Sequence, residues 1–270
     1  MNFLFWNVGR RSIDELLVDL VESTHTNVLA LAEYSGDETR LLHALDARGI
    51  TYFVHPTIGC TRIKLFTDVP SSYFVPRRES DRYSIREFSR SGCETILLAL
   101  VHLPSKLYFS ENDQLQDTIR FRDEIERTEM EAHNSNTVVV GDFNMNPFDM
   151  GMVSAMAMHS LACLRTAKLG GRVVRGKRFS FFYNPTWSLF GDHRGVPGTY
   201  YRSPSGYGSF YWNILDQVVL RPSIADRLDK ESLRIITSTG KSELIDRNGR
   251  PAASDHLPLY FTLDLTIEGL

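Results

Sequence analysis

Cysteine is scarce: Cys60, Cys93 and Cys163 are the only three among 270 residues, an odd number with no paired metal-ligand spacing. That argues against an extracellular disulfide framework and reads as reduced thiols in a reducing compartment, the cytoplasm. Charge of one sign is also lacking. A net charge of -3 argues against wholesale electrostatic attraction to nucleic acid and leaves only a local basic patch for that work. Nowhere do about 18 apolar residues run together, so no membrane span is expected. The apolar start, Phe3 to Trp6, is too short for a signal-peptide core, and its basic pair Arg10-Arg11 follows it instead of preceding it. There is no internal repeat and no low-complexity tract. A content of 42% hydrophobic and 23% charged residues is that of an ordinary globular chain with ample material for a core.

What is present is a set of apolar runs that end in polar residues. Thr137 to Pro147 reads Thr-Val-Val-Val-Gly-Asp-Phe-Asn-Met-Asn-Pro, a buried strand that leaves the core and delivers side chains at its tip. Alternation puts Asp142 and Asn144 on one side and turns Phe143 back into apolar packing. A carboxylate and an amide two residues apart suit a site that holds a metal-bound water beside a phosphate oxygen, and they suit an Asx-turn equally well. The same pattern recurs in strands Asn2 to Val8, carrying Asn7; Val28 to Ala32, ending at Glu33; and Glu94 to Leu103, carrying His102. Asp216 lies among apolar neighbours in Ser209 to Leu220 and so requires a cationic or hydrogen-bonding partner. Asp255-His256 precedes a last strand, Leu259 to Leu265.

Between these tips the periodicity predicts helices over Ile13 to Thr24, opened by a Ser12–Glu15 capping box, and over Thr39 to Ala47, Glu111 to His133 and Met150 to His159. Strands are expected at Thr51 to His55, Arg62 to Thr67, Ser71 to Val75 and Tyr83 to Phe88. In the long helix, Leu115, Ile119, Phe121, Ile125 and Met130 fall roughly on one side, and acids such as Glu124, Glu126 and Glu129 read as a solvated face. From Arg165 to Arg178 there are six cations and no acid, followed by aromatics up to Phe190. Such a stretch can track phosphates and stack bases, or be a basic loop ahead of a core strand. Gly191 to Gly208 reads as a long surface loop of the kind that serves as a lid or a flexible segment.

In order, Phe-Trp-Asn7-Val, Leu-Ala-Glu33-Tyr, Val-His102-Leu-Pro, Gly-Asp142-Phe-Asn144, Ile-Leu-Asp216-Gln and Ser-Asp255-His256-Leu-Pro resemble the endonuclease/exonuclease/phosphatase superfamily across nearly the whole chain. Ala32 stands where that family often has Gln, and Gln217 where a Tyr commonly follows the Asp. The resemblance implies an α/β fold built as a four-layer α/β sandwich, with two mixed β-sheets packed face to face and helices outside. It implies a single domain over residues 1–270, whose halves each supply a sheet and join near Lys106 to Ser135.

It further implies a Mg²⁺-dependent phosphoesterase, with Mn²⁺ as a substitute. Glu33 would be the principal metal ligand with Asn7 and Asp255 close by. Asp142 would orient or deprotonate the attacking water, and Asn144 would hold the water or the phosphate. His256, fixed by Asp216, would contact the scissile phosphate as donor or base, and His102 would bind it from the opposite side and stabilise or protonate the leaving oxygen. The first substrate reading is nuclease action on DNA or RNA, with Arg175, Lys177 and Arg178 as substrate-binding cations. The alternative is a phosphatase or phosphodiesterase acting on a small molecule or lipid headgroup of the inositol phosphate or sphingomyelin type.

Overall fold

Apolar runs with side chains to bury on two faces become central strands, and the polar-faced runs become the strands beside them. The computed structural model describes residues 1–106, 109–203 and 210–267. Its first part contains β1 (Asn2–Asn7), α1 (Asp14–Thr24), β2 (Val28–Ala32), α2 (Glu38–Asp46), β3 (Phe53–His55) and β4 (Ile63–Thr67). Then come β5 (Phe74–Glu79), β6 (Tyr83–Phe88), β7 (Ile96–His102), α3 (Glu111–Ala132), β8 (Thr137–Asp142), α4 (Met150–Val153), β9 (Ser160–Leu161) and α5 (Leu164–Ala167). The remainder holds β10 (Gly171–Val174), β11 (Lys177–Ser180), β12 (Phe182–Tyr183), β13 (Tyr200–Tyr201), β14 (Trp212–Asn213), β15 (Asp216–Leu220), β16 (Leu228–Ile235) and β17 (Leu259–Leu263).

A six-stranded sheet has the order β16-β17-β1-β2-β4-β3, and a seven-stranded sheet the order β5-β6-β7-β8-β15-β12-β9. Both are mixed: β1 pairs with β2, and β7 with β8, in parallel, while β17, β4, β6 and β15 flank them antiparallel. Phe3 and Phe5 of β1 meet Val138 and Val140 of β8 in one shared core, whereas Leu4 and Trp6 point to the other face with Leu17 and Val21 of α1. Phe121 and Ile125 of α3 cover the far side of the second sheet. Helix, sheet, sheet, helix is therefore the layering, as the resemblance implied.

The halves do not divide as expected. The first sheet takes β1 to β4 and then β16 and β17 from the other end of the chain, and the second is built from the middle. Both sheets thus depend on long-range closure, which a linear reading of the chain does not supply. Ser12 forms no capping box: α1 begins without a side-chain cap, and Asp14 accepts the Tyr34 hydroxyl (2.9 Å) instead. The capping box is at Ser110 and Asp113, at the start of α3. In α3, Met130 is exposed, while Glu126 and Glu129 receive the buried guanidinium groups of Arg122 and Arg221 (2.8 Å each). The solvated acidic face is therefore partly an internal ion-pair network. Met150 to His159 is helical only to Val153, and Ile214-Leu215 interrupts the strand expected from Ser209 onward. Residues 204–208 of the anticipated lid, and Ser209, lie outside the described residues.

All three cysteines are free, and among the described residues no helix is long and apolar enough to cross a membrane.

One buried histidine makes stability sensitive to acid. The Thr67 hydroxyl donates to the Val69 carbonyl (2.6 Å), so it accepts from Nε2–H of His55 (2.7 Å) and leaves Nδ1 as a bare lone pair in the core beside Phe74. Burial, then the charge of Arg86, lowers the His55 pKa to about 4. A depressed folded-state value means the contribution is fully present above the unfolded value of about 6.5 and is lost as pH falls towards the folded one. Relative to His55→Gln, the parent is expected to lose about 2 kcal/mol between about pH 7 and pH 4.5, read from urea midpoints. Equal pH slopes for the two proteins would refute this.

Candidate active site

Strand register brings the predicted residues together. His102 and Asp142 are partners at the ends of the parallel β7 and β8, and Asp216 opens β15 directly opposite Asp142. In the other sheet Asn7 ends β1 beside Ala32, and Glu33 follows at the tip of β2. Both sheets therefore deliver polar side chains at one edge of the sandwich. A Cβ on Gly141 would collide with the carbonyl of Val101 in the adjacent strand, so only glycine permits the close pairing that aligns His102 with Asp142. Gly141→Ala is expected to cost about 3 kcal/mol, seen as a lowered thermal midpoint; an unchanged midpoint would contradict this close packing. Glu33 (φ 53°) and Asn144 (φ 52°) adopt left-handed backbone just past their strands, a local strain that clusters at functional positions.

Asp142 is the hub. Its Oδ1 accepts the Asn144 N–H (2.8 Å), and its Oδ2 accepts from the amides of Asn7 (3.0 Å) and Asn144 (3.2 Å). Asn144 also donates to the Leu103 carbonyl (2.9 Å), which fixes its orientation. Asp216 meets Nδ1 of His256 at 2.8 Å, supplying the partner that its burial requires. The Nε2 of His256 then lies 4.0 Å from Asp142, with the Tyr200 ring 4.8 Å from the imidazole and the Trp6 indole donating to the His256 carbonyl (2.9 Å). Across the site, Nε2 of His102 stands 3.5 Å from Glu33 and 3.7 Å from Asp142.

The electrostatics sort these groups into roles. Burial raises the proton affinity of Asp142, and Asp216 adds to that rise. Burial alone would discharge His256, but the facing charges of Asp216 and Asp142 outweigh it and hold the imidazole protonated well above the ordinary histidine range. His102 behaves oppositely: burial, then the positive charges of Arg62, His256, Arg82 and Arg10, lower its pKa to about 3 and keep it neutral. It is held as a neutral imidazole and is no store of protons.

Asn7, Glu33, His102, Asp142, Asn144, Tyr200 and His256 open into one cavity of about 930 Å³, with Asp216 buried behind them, and the cavity is lined also by Arg10, Arg62, Arg82, Lys106, Arg202, Phe109 and Phe210. None of the latter seven was expected at the site from the sequence, because each lies in a connection outside the strands, where no pattern marks convergence on a cavity. Arg175, Lys177 and Arg178 do not line the cavity; Arg175 lies in the turn between β10 and β11, and the other two lie in β11 of this separate hairpin.

Among the described residues one trio, Asp142, Asp216 and His256, brings ligand-type atoms within 4.8 Å of one another. A histidine that is protonated and bound to Asp216 offers no lone pair, so the trio fits a proton-handling unit better than a cation cage. The donor set for a hard cation lies beside it. The Glu33 side chain is 30% exposed to the cavity, and the Asp255 carboxylate packs beside Gly9, whose N–H donates to Oδ1 of Asn7 (3.1 Å). Two carboxylates and an amide oxygen from residues that line the cavity match an ion that retains much of its hydration.

No protein-family profile matches the sequence, and no curated protein does. The fold is matched by an endonuclease/exonuclease/phosphatase family protein from Leptotrichia buccalis, with TM-score 0.58 and 14% identity, covering 98% of this chain and 99% of that one. The chain has the endonuclease/exonuclease/phosphatase fold. The human Nocturnin catalytic domain with bound sulfate shares this fold (TM-score 0.57, 14% identity, 98% and 94% coverage). So does D. rerio TDP2 complexed with a single-strand DNA product (0.53, 16%, 98% and 98%). In the endonuclease/exonuclease/phosphatase fold of this chain, the cavity sits where strand tips of both sheets converge.

Proposed function

We propose that the chain is a Mg²⁺-dependent phosphoesterase that hydrolyses phosphodiester bonds of nucleic acid by in-line attack of water. The observation that carries this reading is the convergence of Asn7, Glu33, His102, Asp142, Asn144, Asp255 and His256 on one cavity whose lining includes five cations. Phosphodiesters resist attack because their oxygens repel a nucleophile, so a site must neutralise charge and align a water. Asp142, fixed through both oxygens by Asn7 and Asn144 and raised in basicity by burial, takes the proton of the attacking water. His256, charged by its contact with Asp216, donates from Nε2 to a phosphate oxygen. His102 donates to the phosphate or the leaving oxygen from the opposite side as a neutral imidazole. Glu33, Asn7 and Asp255 would hold the Mg²⁺, which when bound supplies Lewis-acid neutralisation of the phosphate.

Nucleic acid is favoured over a small substrate because Phe109 and Phe210 are 38% and 61% exposed among the cations of the cavity lining, an arrangement suited to stacked bases on a tracked backbone. TDP2 of the same fold, in a complex with single-strand DNA product, supports that preference. A second reading, a phosphodiesterase on a lipid headgroup, draws on the packed rings of Phe148, Phe190 and Phe210, which could take an apolar tail. The test is a panel with Mg²⁺: single-stranded oligonucleotide, plasmid, inositol phosphates, sugar phosphates and sphingomyelin vesicles. Turnover of a nucleic acid that weakens steeply with added salt is expected. Turnover confined to sphingomyelin or inositol phosphates would replace the first reading by the second.

A further inference from the structure

Arg62 lines the cavity half-buried, and it makes no ion pair with any described carboxylate. Three of the other four cavity cations differ, since Arg10 faces Glu33 (3.7 Å), Arg82 faces Asp81 (3.7 Å) and Lys106 pairs with Asp149 (2.8 Å), and the fourth, Arg202, is exposed where Arg62 is half-buried. A guanidinium kept free at a phosphoester site has its planar fork available for an anion.

The segment that presents Arg62 is held by the opposite sheet. Residues 56–62 link β3 to β4 in the first sheet, yet their backbone is gripped by β5 and β6 of the second. Glu79 accepts the N–H groups of Ile58 (2.7 Å) and Gly59 (3.0 Å), and Arg86 donates to the Pro56 carbonyl (2.7 Å). Glu79 and Arg86 pair at 2.8 Å with side chains 11% and 2% exposed. Ser84 completes the unit, donating to Glu79 (2.9 Å) and accepting from Arg86 (3.1 Å). At the far end of the segment the Arg62 carbonyl receives the Glu33 N–H (3.0 Å). The Ile58 side chain, 97% exposed, contributes no packing, so polar contacts set the path of the loop there. An internal ion pair is a costly way to obtain stability alone, and this one spends its remaining hydrogen bonds on the segment that carries Arg62.

We propose that Glu79 and Arg86 are positioning residues that hold segment 56–62 so that Arg62 takes a second, non-scissile phosphate of the substrate. The chain would then select substrates carrying two phosphates at nucleotide spacing. This rests on the reading of the cavity as a phosphoester site. The probes are thymidine 3′,5′-bisphosphate and thymidine 5′-monophosphate, titrated calorimetrically with Mg²⁺ into the full chain carrying Asp142→Asn to prevent turnover. The bisphosphate is expected to bind about tenfold more tightly or better, the worth of one charge-assisted contact. Arg62→Gln should abolish that preference by weakening the bisphosphate about tenfold more than the monophosphate, and Arg62→Lys should restore part of it. Glu79→Gln should reduce the preference about three- to tenfold, with no further loss when combined with Arg62→Gln. Ile58→Pro removes one strut while leaving the buried pair intact, so it reads the same effect if Glu79→Gln fails to fold.

Several results would overturn the proposal: a preference that survives Arg62→Gln, one untouched by Ile58→Pro and by a folded Glu79→Gln, or no binding of either nucleotide. A protein that keeps an Arg62-dependent preference but hydrolyses no phosphoester would instead sink the enzymatic reading and leave this one standing.

Discussion

Asp142→Asn is expected to lower kcat about 10³-fold or more while leaving KM within a few-fold, because a general base contributes on the order of 10²–10⁴ and this one also orients its water. The substitution keeps the shape of the side chain. It removes the charge that accepts the proton, and it sets an NH2 group against an existing donor, since both carboxylate oxygens accept from Asn7 or Asn144. One mismatched hydrogen bond costs about 1–3 kcal/mol in a buried setting, so the variant should remain folded. Single-turnover kinetics together with a thermal melt separate the two effects. A folded Asp142→Asn protein that turns over at the parental rate would remove Asp142 from the chemistry.

The second large effect is at Asp216. In the parent, His256 stays charged through neutral pH because Asp216 and Asp142 together overcome the cost of its burial. In Asp216→Asn the 2.8 Å charge contact becomes a neutral one, so the folded-state pKa of His256 falls. The sign follows: parental activity should not decline as pH rises through the ordinary histidine value of about 6.5, whereas the variant should lose activity above it. At about pH 8 the expected loss in kcat/KM is about 10²–10³-fold, shrinking as pH is lowered. A pH–rate profile for both proteins checks this, and parallel profiles would mean that His256 does not act as a cation.

How much of this was legible in the sequence depends on what precedes each residue. Asp142, Asn144, Glu33 and His102 follow apolar runs that can only be buried strands, so their place at a strand tip was readable, as was the need of Asp216 for a partner. The layering was readable by resemblance. Division of the halves was not, because β16 and β17 return to pair beside β1, and antiparallel closure over more than two hundred residues leaves no local mark. The cations of the cavity were missed for the same reason. Arg62 and Arg82 come from connections in different sheets and meet only when the sheets pack. The dense basic tract that drew attention lies instead on or beside the β10–β11 hairpin, outside the cavity. Local charge density reports composition, whereas a binding site is a matter of convergence.

The account stands on water attacking phosphorus inside that cavity. Incubation of the purified chain with Mg²⁺ and an end-labelled single-stranded oligonucleotide in heavy-oxygen water, followed by mass spectrometry of the cleaved phosphate, tests it in one step. The account predicts a single heavy oxygen on the product phosphate and no product after chelation. Absence of cleavage with Mg²⁺ present, or a product phosphate without the heavy isotope, would contradict it.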